Sequence, residues 1–247
     1  MPRLDVYLYE KQYFKSRQKS REAIVDGCVS VGGSIVTKPG TVVSEGVDIA
    51  VSNKCNRFVG RGGLKLEFAL MSFGVDVRGK IAIDVGASTG GFTDCLLRYG
   101  IKKVYAIDVG HGQMDEDLAA NSKVALTEGL NARGLMPGEI NGGNIDIAVI
   151  DVSFISLKSV LLPVAAQLKE GADIICLVKP QFEVGPGSVG KNGIVKSAKA
   201  RMAAVEEIKA FASENSLIPV AEAESPISGA SGNVEYLLHL KKADSDM

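Results

Sequence analysis

The sequence has no tryptophan, only two histidines and 6% aromatic residues. Its four cysteines (Cys28, Cys55, Cys95 and Cys176) lie far apart and form no C-x-x-C pair. With so few histidines to join them, no metal site is expected, and the thiols read as reduced, as in a cytoplasmic protein. His111 and His239 read as ordinary residues with local partners. Long apolar runs are also missing. The best candidate, Val160 to Leu168, is interrupted by Pro163 and Gln167 and falls far short of bilayer length. Arg3, Asp5, Glu10 and Lys11 stand where a signal peptide would need an unbroken apolar core. No stable membrane association and a cytoplasmic location are therefore expected.

What is present is a chain of 247 residues, 46% apolar, which can bury a good core and need not be one domain. The net charge of −1 conceals an uneven distribution. Residues 1 to 66 carry eleven Lys/Arg against six Asp/Glu, and the remainder seventeen against twenty-three, so +5 faces −6. A basic first quarter on an acidic body suggests a polyanion-binding appendage, although an excess of five is also within the reach of chance.

The texture changes along the chain. Leu4, Tyr7 and Leu8 suggest a short helix, and Ser16 is placed to cap a second helix that Gly27 ends. Short β-like runs follow at Cys28–Val31, Ile35–Thr37 and Val47–Val51, with Gly32-Gly33 as a tight hairpin between the first two. Ser52 to Arg57 reads as a linker. Beyond it, strands are expected at Ile81–Val85, Val104–Ile107, Ala125–Thr127, Ile145–Asp151, Ile174–Lys179, Ile218–Ala221 and Tyr236–Leu240. Helices are expected at Leu64–Phe73, Phe92–Arg98, Leu157–Leu168 and Ala198–Glu214. Strands that are apolar almost throughout imply burial on both faces. The expected fold is α/β: a doubly wound, Rossmann-like, mostly parallel sheet with an antiparallel edge strand, over 57–247, preceded by a small α+β domain over 1–56.

The strongest local motif runs Asp84-Val85-Gly86-Ala87-Ser88-Thr89-Gly90-Gly91-Phe92, from a strand into a helix. Its G-x-x-x-G-G spacing departs from the dinucleotide fingerprint, and no Gly-Lys-Ser/Thr follows, so neither pyrophosphate nor ATP phosphate is the natural guest. Asp108 ends the next strand, where a carboxylate can accept from both ribose hydroxyls of an adenosine. A nucleoside cofactor without phosphate fits both facts, and S-adenosylmethionine is the common one. A glycine-rich turn serving helix packing alone would not explain the acid.

Asp151 and Lys179 end two further strands. Ligands in open α/β sheets bind beyond the C-terminal strand ends, so both side chains should face the crevice. A lysine directly after four apolar strand residues is costly to bury without a partner, unless its stem snorkels to solvent.

Five separated motifs together resemble the hemolysin-A (TlyA) group of FtsJ-like ribosomal RNA 2′-O-methyltransferases. They are Arg61-Gly62-Gly63-Leu64-Lys65-Leu66, the Asp84–Phe92 loop, Asp151-Val152-Ser153-Phe154-Ile155-Ser156, Lys179-Pro180-Gln181-Phe182-Glu183 and Gly232-Asn233-Val234-Glu235-Tyr236-Leu237. The group's N-terminal S4-type RNA-binding domain is matched at Arg3-Leu4-Asp5, Ser16-Arg17, Gly27-Cys28-Val29 and Lys38-Pro39-Gly40. The resemblance implies a catalytic tetrad of Lys65, Asp151, Lys179 and Glu235. It also implies cofactor contacts from Asp84, Gly86, Ala87, Ser88, Gly90, Gly91, Phe92, Asp108 and Asn131. RNA contacts would come from Arg3, Arg17, Lys19 and Lys38. The implied reaction methylates a ribose 2′-hydroxyl of ribosomal RNA, with cytidine as the nucleoside, on ribosomal RNA or subunits as partner. Two departures stand out: Val31-Gly32-Gly33 where the group reads Val-Asn-Gly, and Gly60 where it has serine, a change expected to matter little.

Within this reading Lys179 is the candidate base. A lysine accepts a proton only as the neutral amine, a form favoured by desolvation and by a nearby cation such as Lys65. Asp151 would orient Lys179, and Glu235 would hold Lys65 or the ribose. Two other functions are open: a non-catalytic RNA-binding protein, which leaves the cofactor loop and tetrad unexplained, and a membrane-active hemolysin, which no apolar span or strongly amphipathic cationic helix supports. The oligomeric state is not legible.

Overall fold

Short helices packed on a small antiparallel sheet make up the first of two units, Met1–Phe58, while Val59–Met247 forms the second. The computed structural model describes residues 1–25, 27–52, 57–229 and 232–244. In the first unit, α1 (Leu4–Glu10) and α2 (Arg17–Val25) pack over β1 (Val29–Val31), β2 (Ser34–Ile35) and β3 (Ile49–Val51), in the order β2-β1-β3. Leu4, Leu8, Ile24 and Val29 are fully buried between them. Ser16 Oγ accepts from the Lys19 N–H at 3.2 Å, the cap the sequence suggests. Gly32 and Gly33 both take positive φ, which a two-residue hairpin of this hand requires. The strands are shorter than their apolar runs: β2 stops at Ile35, and Val47 lies outside β3 in a turn onto Ser44.

One buried charge organises this unit. Asp5 is wholly covered, and its carboxylate accepts from Arg3 Nε and Arg17 Nε, each at 3.0 Å. Burial pushes its pKa up, and the hydrogen bonds from Arg3 and Arg17 outweigh that and hold it below the ordinary aspartate value. Arg3 and Arg17, expected to face RNA, are thus also structural ligands of Asp5, each about half exposed. Lys38 is exposed in a turn closed by the Thr41 N–H, and Lys19 is half-buried on α2.

One expectation fails here: Cys28 is not a free thiol but disulfide-bonded. Sequence distance misleads, because β1 pairs with β3 and the Ser52 N–H donates to Cys28 O, bringing the start of the linker beside it. Cys95 and Cys176 are free and buried. Residues 53–56 of the expected linker lie outside the described residues.

The second unit is a seven-stranded sheet of β4 (Ile81–Val85), β5 (Lys103–Asp108), β6 (Val124–Glu128), β7 (Ile145–Ile150), β8 (Leu168–Val178), β9 (Leu217–Glu224) and β10 (Tyr236–Lys242). Its order is β6-β5-β4-β7-β8-β10-β9. Only β10 runs antiparallel to its neighbours, and it lies one position inside the edge rather than at it. Burial gives the reason. Tyr236 to Leu240 are buried without a break, which needs neighbours on both sides, whereas β9 beyond Leu217 alternates half-buried and exposed positions and tolerates the edge. Helices α3 (Gly62–Phe73), α4 (Gly91–Arg98), α5 (Glu116–Ala119), α6 (Lys158–Ala165), α7 (Pro180–Glu183) and α8 (Ala198–Glu214) fill the connections. The helix expected through Leu168 stops at Ala165, two residues after Pro163, and β8 begins at Leu168 instead of Ile174.

The chain order reverses between β4 and β7, so their C-terminal ends open the crevice where such sheets bind ligands. At the opposite end, Asp173 accepts from His239 at 3.0 Å and Lys80 at 3.1 Å, and His239 stacks on Phe73. His239 is a local structural partner, as expected. Among the described residues no helix is long and apolar enough to cross a membrane, and no His/Cys/Asp/Glu group could hold a metal ion.

Replacing Asp5 by asparagine removes the charge that holds both guanidinium groups and should destabilise the first unit by about 1–3 kcal/mol. Because the native carboxyl sits below its unfolded value of 3.8, its contribution is present above that pH and fades as the pH falls through the lower folded value. Hydrogen exchange of the α1 amides in wild type and Asp5→Asn between pH 7 and 3 checks this; a constant difference across the range would contradict it.

Candidate active site

The crevice is built where β4 and β7 end. Asp151 follows β7 directly, and its N–H donates to Val85 O. Gly86, with φ +83°, passes beneath it so closely that a Cβ would lie 2.5 Å from the Asp151 carbonyl oxygen. Any other residue there would push the cofactor-type turn away from Asp151. The turn is held from β5 as well. Asp108 Oδ2 accepts from Ser88 N–H at 2.8 Å, and Oδ1 from Gly110 N–H at 2.7 Å. Ser88 Oγ donates to Gln113 Oε1, and Leu130 N–H donates to Asp108 O.

The residues expected at the cofactor fall into two groups. Ser88 and Asn131 are exposed at the rim, with Asp108 half-buried between them. Asn131 Oδ1 caps a short 3₁₀ turn by accepting from Arg133 N–H. Ala87 and Phe92 are buried, the latter packed against the start of α3, where a Cβ on Gly62 would stand 3.3 Å from its ring. Gly90 and Gly91 open α4. The departure at Gly60 matters more than expected: a Cβ would lie 2.7 Å from Thr89 Oγ1, so a serine needs Thr89 to turn aside.

Asp84 is wholly buried. Thr93 Oγ1 donates to its Oδ2 at 2.6 Å, while Oδ1 accepts no hydrogen bond among the described residues. Burial first, and then the charges of Asp151 and Asp108, raise its carboxyl to about 7. Three acids therefore surround the turn, and among the described residues no cation pairs with Asp84. A carboxylate offers about four acceptor positions, and Asp108 has used two. An adenosine-bearing, positively charged cofactor fits this donor set: Asp108 can take two more hydroxyl donors, and the acids favour positive charge.

The tetrad residues arrive from four elements and form two ion pairs. Lys65, one turn into α3, pairs with Glu235, both nearly fully buried. Lys179, at the end of β8, lies 2.6 Å from Asp151 Oδ1 and donates to Ser153 Oγ at 2.8 Å. The Asp151 contact is a close ion pair without hydrogen-bond alignment, since Oδ1 has no aligned donor. Sheet register brings the pairs together: Tyr236 stands opposite Val178, so Glu235 and Lys179 are the next antiparallel positions. Asp151 Oδ2 would be 3.9 Å from a Cβ on Gly62, three residues before Lys65.

Sequence reasoning missed Phe154. It is 90% exposed, has φ +63°, and meets the Phe182 ring at 5.2 Å, tilted by 46°. A bulky residue in the left-handed region is strained and persists only where its surroundings over-determine it. They do here. Ser153 is held by Lys179, Ile155 packs on the core, and Glu183 accepts from Ser156 Oγ and Leu157 N–H on the far side. An aromatic residue three positions after Asp151, beyond the strand end, was the available signal.

A mostly parallel sheet with a glycine turn after β4 and an acid at the end of β5 defines the class as Rossmann-like methyltransferase. The FtsJ-like methyltransferase model matches residues 58–242, and the S4 domain model matches residues 2–49. The chain is 42% identical over 240 residues to the 16S/23S rRNA (cytidine-2′-O)-methyltransferase TlyA of Mycobacterium tuberculosis, covering 97% of this chain and 89% of that protein. It is 39% identical to Hemolysin A of Brachyspira hyodysenteriae over 96% of this chain and 98% of that one. A solved structure from Streptococcus thermophilus that carries the hemolysin name superposes with a TM-score of 0.79 at 40% identity, covering 98% of this chain and 89% of that one. The chain belongs to the FtsJ-like methyltransferase family, with an S4 domain at its N-terminus.

The raised Asp84 carboxyl carries a measurable consequence. Below pH 3.8 folded and unfolded chains both hold its proton; between there and about 7 only the folded form does, so stability falls as pH rises through that window. A displacement of this size corresponds to on the order of 4 kcal/mol. Thermal unfolding of the cofactor-free protein from pH 4 to 8 should show this decline, and Asp84→Asn should flatten it. An unchanged slope in Asp84→Asn would assign the effect to another group.

Proposed function

We propose that the chain transfers a methyl group from S-adenosylmethionine to a ribose 2′-hydroxyl of ribosomal RNA, with cytidine the expected nucleoside. The observation that carries this reading is the contact of Gly86 with Asp151, which sets a cofactor turn against the Lys179–Asp151 ion pair. The tetrad residues Lys65, Asp151, Lys179 and Glu235 are the proposed catalytic set, and the names of the full-length relatives support ribose as the target. Residues 1–56 are the proposed RNA-docking domain and 57–247 the catalytic one. Arg3, Arg17, Lys19 and Lys38 contact phosphates and shape rather than sequence. The partner is ribosomal RNA or a ribosomal subunit, and the setting is the cytoplasm.

S-adenosylmethionine, when bound, supplies an electrophilic methyl on a sulfonium. Asp108 would hold the ribose hydroxyls of the cofactor, with exposed Ser88 and Asn131 close in sequence to the same turns, and the glycines from Gly86 to Gly91 would leave room for it. On the acceptor side, Lys179 would take the proton from the 2′-hydroxyl. Asp151 and Ser153 orient the Lys179 amine. Glu235 fixes Lys65, whose charge faces the reacting ribose. Phe154, backed by Phe182, offers an exposed face on which a nucleobase can stack, a contact worth roughly 1–3 kcal/mol per base. A purely RNA-binding role would need none of these buried charges.

Asp108→Ala should weaken S-adenosylmethionine binding at least about tenfold, since it removes two charge-assisted hydrogen bonds to the cofactor and releases the Ser88 and Gly110 amides. Calorimetry finding wild-type affinity in folded Asp108→Ala would remove Asp108 from the site.

Lys179→Met should retain fold and cofactor affinity yet lose at least about 10²-fold in turnover, the usual share of a general base. Lys179→Arg should fail alike, because a guanidinium does not deprotonate in this range. Methylation of ribosomal RNA by an active Lys179→Arg protein would reduce Lys179 to electrostatic positioning.

A further inference from the structure

We propose that Asn233 is a positioning residue for the reaction: its carboxamide clamps the segment Gly193–Val195 and thereby fixes the turn that delivers Glu235 onto Lys65. The proposal rests on the reading of Lys65 and Glu235 as members of the catalytic set.

Asn233 is 2% exposed and uses both ends of its amide. Its Nδ2 donates to Gly193 O at 2.9 Å, and its Oδ1 accepts from Val195 N–H at 3.0 Å. Its own carbonyl accepts from Gly229 N–H at 2.9 Å, and Gly232 N–H donates back to Gly229 O at 2.8 Å. The effect is to press Gly229 against the catalytic carboxylate. A Cβ on Gly229 would lie 2.3 Å from Glu235 Oε1 and 2.9 Å from its Cδ. On the main chain, Glu235 O accepts from Ser225 N–H at 2.9 Å. Glu235 is thus enclosed by Gly229 on one side and Lys65 on the other.

The clamp bears on something fixed. Val195 is buried, Gly190 N–H donates to Ile194 O, and Arg201 on α8 donates to the carbonyls of Val195 and Lys196. Arg201 Nε also donates to the hydroxyl of Tyr236, the residue after Glu235. Segment 193–196 is therefore held independently from α8, and Asn233 transmits that placement across the turn to Glu235. An amide that only satisfied two buried backbone groups would stabilise the fold equally well with no relation to Glu235. The two roles differ in whether the cost of losing Asn233 depends on Glu235 being present.

A double-mutant cycle on the full-length protein separates them. Turnover on ribosomal RNA and the Kd for S-adenosylmethionine are measured for wild type, Asn233→Ala, Glu235→Gln and the double variant. Asn233→Ala should lose about tenfold or more in turnover, with cofactor affinity held within about twofold, and should cost nothing further on the Glu235→Gln background. Additive losses, or wild-type turnover in Asn233→Ala beside an impaired Glu235→Gln, overturn the positioning role alone. Full activity of Glu235→Gln removes Glu235 from the catalytic set and the proposal with it. Should Asn233→Ala fail to fold, Asn233→Asp serves in its place: it keeps the acceptor for Val195 N–H, sets a carboxylate against Gly193 O, and should show the same non-additivity.

Discussion

Backbone pressed on backbone, Gly86 against the carbonyl of Asp151, is the contact on which the rest of the site depends. It joins the two strands where the sheet's winding reverses. Through it, the residues that would hold a cofactor and those that would act on an acceptor hydroxyl share one edge without touching through side chains. A side-chain contact at this point would tie the cofactor turn to the rotamer of Asp151. A backbone contact leaves Asp151 to pair with Lys179 while still setting the distance between the two halves.

Around that contact the buried charges are arranged in unequal ways. Lys65 with Glu235 and Lys179 with Asp151 are matched pairs, and a buried pair adds little net stability because desolvation offsets most of the attraction. Removing one partner is far costlier than the pair is beneficial, which makes such pairs better at fixing geometry than at holding a fold together. Asp84 is the exception, a wholly buried acid hydrogen-bonded, among the described residues, to Thr93 alone and pushed up to about 7. Stability of this unit comes from the apolar sheet faces, and the crevice carries the strain.

The alternation of apolar runs and amphipathic segments made the strand and helix succession legible in advance, as did the motifs at Asp84–Phe92, Asp151 and Lys179. What pattern could not supply was lateral order. Nothing in Tyr236 to Leu240 says that it enters the sheet inside Leu217–Glu224; only the contrast between its continuous burial and the alternation of β9 explains that placement. The start of β8 at Leu168 was hidden because Leu168 to Gly171 reads as a helix end. The disulfide at Cys28 escaped because proximity across β1 and β3 is a matter of pairing, not of sequence distance. Phe154 escaped because strain is a property of φ, not of composition.

The uneven charge of the chain finds its reason in two opposed electrostatic demands. A cofactor bearing a sulfonium would be best received by acids, and Asp108, with buried Asp84 behind it, is the candidate for that side. The same acids repel a polyanion, and residues 67 to 247 carry a net −6. Screening shortens this repulsion to about 8–10 Å at physiological ionic strength but does not remove it inside the crevice. One surface cannot be tuned for both guests at once. The excess of cations falls in the unit that matches the S4 domain, where buried Asp5 holds Arg3 and Arg17 in fixed orientation, and not in the acidic methyltransferase unit. Within the crevice the remaining conflict is met by pairing: Lys65 with Glu235 and Lys179 with Asp151 are each matched, so these four residues add no net charge.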